Sequence, residues 1–130
     1  MKRTLALTTY LVPDYDEAID WFVRVLGFVL LEDNDLGDGK RWVRVATSAD
    51  AATALLLARA DTPAQQARIG DQTGGRVGHF LHTDDFARDH AAMLSKGVRF
   101  IEAPRHEAYG SVAVFEDPYG NRWDLLEPAR

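Results

Sequence analysis

The chain contains an internal repeat, and this repeat limits its possible folds more than any other feature. Asp14 with Glu17 three positions later is typical of a helix N-terminus, and Gly27 is typical of its end. The same pattern recurs 71 residues later, where Asp85 begins a second amphipathic segment that ends at Gly97. The sequence therefore predicts two copies of one structural unit.

Short alternating or apolar segments surround each helix in the same order. Each copy is predicted to form a strand, a helix and three further strands. In the first copy these elements are residues 4–12, 14–26, 28–33, 40–47 and 53–59. In the second they are residues 77–83, 85–96, 98–102, 111–116 and 122–127.

The domain prediction is one α+β domain over residues 1–130, with two tandem βαβββ modules at 1–60 and 76–130 and a linker at 61–75. One helix covers only one face of a four-stranded sheet. We therefore expect the modules to pair into a curved mixed sheet that encloses a cup. Whether they pair within one chain or between chains is open.

Turn residues support these boundaries. Asp38-Gly39 is suited to a type I′ hairpin, and residues 117–120 are suited to a type I turn. Thr62-Pro63 predicts a short capped helix over residues 64–68.

Composition limits the chemistry. The chain has no Cys and four His, so metal or base chemistry has to use His with carboxylates. Fifteen Lys and Arg against 20 Asp and Glu give a net charge of -5, which disfavours nucleic acid and anionic membranes as partners. No signal peptide or long apolar span is evident, so we expect a cytoplasmic protein.

Three segments carry a family resemblance: Val12-Pro13-Asp14, Val25-Leu26-Gly27-Phe28, and residues 115–125, which include Asp117-Pro118-Tyr119-Gly120-Asn121. Together with the duplicated unit they resemble the vicinal oxygen chelate superfamily. That superfamily includes glyoxalase I, bleomycin-resistance proteins, extradiol dioxygenases and fosfomycin-resistance proteins. The resemblance implies the cup fold and a homodimer, and it leaves the activity open because the fold hosts many functions.

Metal-dependent members of that superfamily place one ligand on each of four strands, usually two His and two Glu. The matching positions in this chain are Leu7, Leu55, Gly78 and Asp124, of which only Asp124 can coordinate a cation. His79 is one residue away from the third position and faces the opposite side of its strand. The resemblance thus implies no cofactor. A displaced divalent metal held by His82, His106 or Glu107 is the alternative.

Strand alternation predicts which side chains line the cup. Inward positions are Leu7, Thr9, Leu11, Leu55, Leu57, Gly78, Phe80, His82, Arg122, Asp124 and Leu126. Trp42 and Phe115 would supply flat walls if they also faced inward. The segment from Pro104 to Gly110 is predicted to be a loop at the pocket rim. The candidate ligand-binding set is therefore Thr9, Trp42, Leu55, Phe80, His82, Arg105, His106, Tyr109, Phe115, Arg122 and Asp124.

His82 and Asp124 are the candidate catalytic residues, because a lone imidazole among apolar side chains can titrate near neutral pH, and an unpaired carboxylate there would have a raised pKa and could act as a base. The alternative for His82 is a structural bond at the strand end. The alternative for Asp124 is an ion pair with Arg122. His79 and His90 are expected to be structural and to contact each other.

Two functional hypotheses follow. In the first, the protein binds a small cationic or aromatic molecule in an apolar cup without transforming it. In the second, it is an enzyme, a lyase, isomerase or dioxygenase-like protein, which uses His82 and Asp124 or a non-standard metal. Glyoxalase I activity itself is not expected, because that mechanism needs the metal.

Overall fold

The computed structural model describes residues 1–130 and confirms an α+β fold in which each half of the chain builds its own mixed sheet. The chain divides into two units, residues 1–69 and residues 70–130. None of its helices has the length and apolar character needed to cross a membrane.

The first unit contains a four-stranded sheet in the order β1-β4-β3-β2. β1 runs parallel to β4, and the other neighbours are antiparallel. The elements are β1 (Leu7–Val12), α1 (Tyr15–Asp20) with a π-helical turn (Trp21–Val25), β2 (Val29–Gly37), β3 (Lys40–Ala46), β4 (Ala54–Arg59) and α2 (Pro63–Gln66).

The second unit repeats this plan with one additional strand. Its sheet has the order β5-β9-β8-β6, and β7 also pairs with β8. The elements are β5 (Val77–His82), α3 (Phe86–Ser95), β6 (Arg99–Phe100), β7 (Arg105–Glu107), β8 (Gly110–Glu116) and β9 (Arg122–Pro128).

Both long helices begin at the predicted residues. The Asp14 side chain accepts a hydrogen bond from the backbone N–H of Glu17 at 2.9 Å, and Asp85 accepts one from Arg88 at 3.0 Å. Each such cap satisfies a backbone donor that the helix leaves free. The repeat in sequence is therefore a repeat in local structure.

The first helix differs from its prediction near its end. The backbone N–H of Leu26 donates to the carbonyl of Trp21 at 3.1 Å, which is one residue further back than in an α-helix. The extra residue rotates the following side chains around the helix. Val25 is therefore buried, whereas Val23 is 37% exposed.

Each core lies between a helix and one sheet face. In the first unit Phe22 packs edge-on against Tyr10, with ring centroids 5.3 Å apart. In the second unit His79 stacks on Trp123 at 4.7 Å, and desolvation lowers the pKa of His79 while Asp117 opposes that shift. His79 is therefore a partly buried side chain on the helix-packed side of the second sheet, as strand alternation predicted.

His90 is also placed among aromatic side chains. Its ring stacks on Phe86 at 5.4 Å and lies 4.4 Å from the ring of Phe100.

The predicted turns are present. Asp38 and Gly39 have φ values of 55° and 78°, as a type I′ hairpin requires. Thr62 caps α2 through the backbone N–H of Gln65. Asp117, which is buried, accepts hydrogen bonds from the backbone of Tyr119 and from Asn121, and this fixes the turn that leads into β9.

Candidate ligand-binding site around Asp124

Asp124 lies in the middle of β9, with β5 on one side and β8 on the other. It pairs with Phe80 and with Val114. Residues paired across strands share a sheet face, so these three side chains lie together. We call this side of the second sheet, which also carries His82 and Arg122, the Asp124 face; the opposite side, with Trp123, packs against α3.

The carboxylate of Asp124 is not fully satisfied. Its Oδ1 atom is buried from solvent and has no hydrogen-bond partner. Burial raises the pKa of Asp124 above its ordinary value, the Arg105 charge lowers it, and the Glu102 charge raises it further. A buried acceptor without a partner is rare in folded proteins and is available to a donor.

Two charged residues form a frame beside this carboxylate. Glu102 Oε1 accepts hydrogen bonds from the backbone N–H of Val114 at 3.0 Å and from Arg105 Nε at 3.2 Å. Arg105 Nη1 also donates to Glu107 at 3.2 Å and to the Tyr109 hydroxyl at 3.4 Å. These bonds hold the guanidinium in place and raise the pKa of Arg105, with Tyr109 the largest cause.

The segment at 104–110 forms a hairpin, so the prediction of a loop there is wrong. Arg105 pairs with Val112, and His106 pairs with Ser111. Alternation puts Arg105 on the Asp124 face and His106 on the other side, where its Nδ1 lies 3.0 Å from Ser111 Oγ. The structure therefore brings Arg105, but not His106, to Asp124.

An exposed aromatic side chain, Phe80, also lies on this face. Phe80 is 62% exposed although it lies in the centre of a sheet edge strand. His82, two residues further along β5, is exposed and pairs with Leu126. Phe80, His82 and Asp124 thus share one face, as strand alternation predicted.

Arg122 does not pair with Asp124, and that prediction is wrong. Its Nε lies 3.9 Å from Glu116 Oε1, and its Nη1 donates to the carbonyl of Gly75 at 3.4 Å. Glu116 is directly opposite Arg122 on β8. Directly opposite residues lie closer than residues two apart along one strand, which explains the choice of partner.

Two other predicted ligand-binding residues face the wrong side. Phe115 is fully buried and pairs with Trp123, its ring stacked at 5.8 Å on the helix-packed side. Leu55 is opposite Thr8, so it lies on the face opposite to Thr9. The residue beside Thr9 is Leu56, and Leu56 is the true equivalent of Asp124. A one-residue error in the internal alignment moved the predicted side chain through the sheet.

Thr9 and Trp42 belong to the first unit. Thr9 is exposed on β1, and Trp42 Nε1 donates to Glu32 at 3.3 Å. Glu32 and Glu102 occupy matching positions in the two copies, and each accepts from an Arg, Arg44 and Arg105. The role of Glu102 beside Asp124 was missed, although this repeated carboxylate was a signal in the sequence.

The residues present do not fit a divalent metal of the kind held by the metal-dependent members of the superfamily that the sequence resembles. The four ligand positions are Leu7, Leu56, Gly78 and Asp124, and no group of three or more His, Asp or Glu side chains is placed to hold a cation. Gly78 lies in an irregularity of β5, between Val77 and His79, that leaves His79 against Trp123.

Comparison with known proteins gives a consistent result. Residues 4–125 match the family model described as the glyoxalase/bleomycin resistance protein/dioxygenase superfamily. An uncharacterized protein of Shewanella frigidimarina is 49% identical over 128 residues, which is 98% of this chain and 95% of that protein.

Two solved structures are also similar along the whole chain. UcmS2 has 25% identity and a TM-score of 0.85, with 98% of this chain and 99% of that one covered. TnmS3, an antibiotic binding protein from Streptomyces sp. CB03234, has 32% identity and a TM-score of 0.78, with 99% and 98% covered.

Proposed function

The chain belongs to the glyoxalase/bleomycin resistance protein/dioxygenase superfamily, and we propose that it binds a small organic molecule on the Asp124 face. The proposed ligand has an aromatic part and a cationic or hydrogen-bond-donating group. Binding does not use a family-type metal site, because hydrophobic residues or glycine stand at three of the four ligand positions.

The observation that carries this proposal is the unpartnered Oδ1 atom of Asp124. A buried polar atom without a hydrogen bond costs about 1–3 kcal/mol, and a ligand donor would remove that cost on binding. An ammonium or guanidinium group would also compensate the negative charge of Asp124 and of Glu102 beside it.

The second support is the exposed ring of Phe80. Pockets for small molecules combine apolar walls with a few polar groups, and Phe80 next to Asp124 supplies both. The Arg105–Glu102 pair and the Tyr109 hydroxyl add polar groups on the same side. The similarity along the whole chain to TnmS3, which is described as an antibiotic binding protein, supports binding of a small molecule.

The test uses doxorubicin, an aromatic antibiotic with an amine, and its uncharged aglycone doxorubicinone. We expect doxorubicin to raise the melting temperature, because a ligand at 100 times its Kd adds about 2.7 kcal/mol of stability. Asp124→Asn should raise the Kd for doxorubicin about tenfold or more, since hydrogen bonds to charged groups contribute ~1.5–3 kcal/mol.

The matched control is Asp50→Asn, which removes an exposed carboxylate of the first unit. It should leave the Kd unchanged. If neither doxorubicin nor a wider panel of cationic aromatic antibiotics raises the melting temperature, the proposal is wrong. Equal affinity for doxorubicinone would show that Asp124 does not select a cation.

A second candidate function is acid–base catalysis by Asp124 with His82. The raised pKa of Asp124 favours it, because a general base works best when its pKa is close to the operating pH. Such a lyase or isomerase would exchange the α-protons of hydroxyacetone in D₂O. This exchange, followed by NMR, should be lost in Asp124→Asn; exchange no faster than in buffer would exclude this probe as a substrate.

A further inference from the structure

A cleft opens in the first unit where two neighbouring strands separate. The ladder between β3 and β4 includes Val43–Leu57 and does not continue to Arg41 and Arg59. A cavity of about 220 Å³ lies at this divergence, with Tyr15, Lys40, Arg41, Trp42, Arg59 and Asp61 among its lining residues. We call it the Arg59 cleft.

Tyr15 organises the cleft. Its hydroxyl accepts a hydrogen bond at 3.2 Å from the backbone N–H of Arg41, a donor that the strand ladder leaves free. The guanidinium carbons of Arg41 and Arg59 lie 5.1 and 5.7 Å from the centre of its ring. Stacking of this kind fixes both guanidinium groups without neutralising them.

The two arginines differ in their charge partners. Arg41 forms ion pairs with Asp33 at 2.7 Å and with Asp16 at 2.9 Å, and these carboxylates raise its pKa. Arg59 has no carboxylate partner, and neither does the exposed Lys40. The positive charge of Arg59 is therefore available to pair with a ligand.

The lining is cationic in an otherwise acidic chain. Lys40, Arg41 and Arg59 face the cavity together with a single acidic residue, Asp61, whereas the whole chain has a net charge of -5. The Arg59 guanidinium also lies over the hairpin turn, so that a Cβ atom at Gly39 would be 3.1 Å from its Nη2. The turn thus leaves room for this Arg.

We propose that the Arg59 cleft binds a small aromatic carboxylate. Arg59 presents a planar fork that matches a carboxylate, and Lys40 adds a second positive charge. Trp42, which lines the cavity, provides aromatic surface for a ring. The volume is below the range of ~300–1,000 Å³ for drug-sized ligands, so it fits a single-ring molecule.

The test is a titration of the ¹⁵N-labelled protein with benzoate, and in parallel with benzylamine, which has the opposite charge. We expect benzoate to shift the backbone signals of Arg41 and Arg59 and the indole signal of Trp42, and benzylamine to leave them unchanged. Arg59→Gln should weaken benzoate binding about tenfold, because it removes a charged donor. Lys40→Gln, on the exposed hairpin, provides a second variant and should weaken binding as well.

Arg24→Gln is the matched control, since Arg24 is an exposed Arg of the same unit paired with Asp20. It should bind benzoate like the parent protein. The proposal is overturned if benzoate causes no shifts at millimolar concentration, if both Arg59→Gln and Lys40→Gln bind it normally, or if benzylamine binds equally well. Loss of benzoate binding in Asp124→Asn would place the ligand on the Asp124 face and would also overturn it.

Discussion

The Asp124 carboxylate has an aromatic neighbour on one side and a pair of charged side chains nearby. Phe80 pairs with it from β5, whereas the Glu102–Arg105 pair contributes charges of both signs. Burial is the largest effect on this group, so its pKa is raised even though Arg105 lowers it. An Asp of this kind is easier to protonate in the folded chain than in the unfolded chain.

This shift predicts the pH dependence of stability. When the folded-state pKa of a carboxyl is raised, its protonation stabilises the fold below the ordinary pKa, and that contribution is lost as the pH rises through the folded-state pKa. Asp124→Asn should therefore have a higher free energy of unfolding than the parent at pH 7, by less than about 1 kcal/mol because solvent screens the charge. Urea unfolding at pH 7 and at pH 4 measures the difference.

The difference should shrink at pH 4, where the parent carboxyl takes up its proton. Asp50→Asn, an exposed substitution, should show no such trend. If Asp124→Asn were less stable than the parent by the same amount at both pH values, the claim that burial raises the pKa of Asp124 would be contradicted.

Single positions were predictable where a nearby anchor set the strand register. The segment with the buried Asp117–Asn121 turn carries the resemblance and precedes β9 directly, and the ligand position matched from it put Asp124 on the same face as Phe80, as in the structure. Leu55 was misplaced because its position was counted through the connection between β3 and β4. Arg122 was misassigned because a long side chain takes its partner across the strands, which sequence proximity does not show.

Among the elements, β7 is a strand that sequence patterns missed. Residues 105–107 include no β-branched residue and no Phe, Tyr or Trp, so nothing local indicates a strand. Its strand geometry comes from pairing with β8. This pairing puts Arg105 on the Asp124 face, and the hairpin is therefore part of the candidate site.

Gly110 at the start of β8 makes this hairpin possible. Its φ is 146°, and a Cβ atom there would lie 2.1 Å from the carbonyl oxygen of Glu127. Gly110→Ala should lower the free energy of unfolding by about 2–6 kcal/mol, because backbone strain and overpacking each cost about 1–3 kcal/mol. It should also weaken doxorubicin binding through displacement of Arg105. Denaturant unfolding and calorimetry measure both effects.

Gly74→Ala provides the comparison. Gly74 has a φ of 66°, and a Cβ atom there would meet no other atom within 4 Å. This variant should show the strain alone and leave binding unchanged. Equal losses of stability in the two variants would argue against the close approach of β8 and β9 at Gly110.

The π-helical turn was also beyond prediction. Residues 22, 23, 25 and 26 are all apolar, so a regular α-helix and a π-helical turn would both bury apolar side chains here. Packing of Phe22 against Tyr10 and Phe28 accompanies the phase that is found. Tertiary contacts, rather than periodicity, therefore fix the end of this helix.

For the whole molecule, the repeat predicted the fold class because both copies keep the same caps and strand order. It did not predict the chemistry, because the copies differ in their charged side chains. The first unit has Arg59 without a carboxylate partner, and the second has Asp124 with an unpartnered oxygen. The duplicated backbone thus carries two candidate sites with opposite charge.

We expect the protein to form a homodimer in solution. Several large apolar side chains outside the two candidate sites are exposed in the single chain, among them Leu5 at 68% and Leu94 at 50%, and association would bury such surface. Sedimentation velocity over a dilution series should give twice the chain mass of 14.5 kDa. A mass of one chain at every concentration would contradict this prediction.

β2 is an outer strand of the first sheet, and nine residues of backbone could pair there with another chain. Its pairing with β3 is irregular between Leu30 and Glu32 and again between Asp35 and Gly37, and it carries three carboxylates, Glu32, Asp33 and Asp35. Bulges and like charges on an outer strand prevent intermolecular strand addition. We therefore expect β2 to oppose the addition of strands from other chains. Substitutions that neutralise its carboxylates should make the protein more prone to fibril formation.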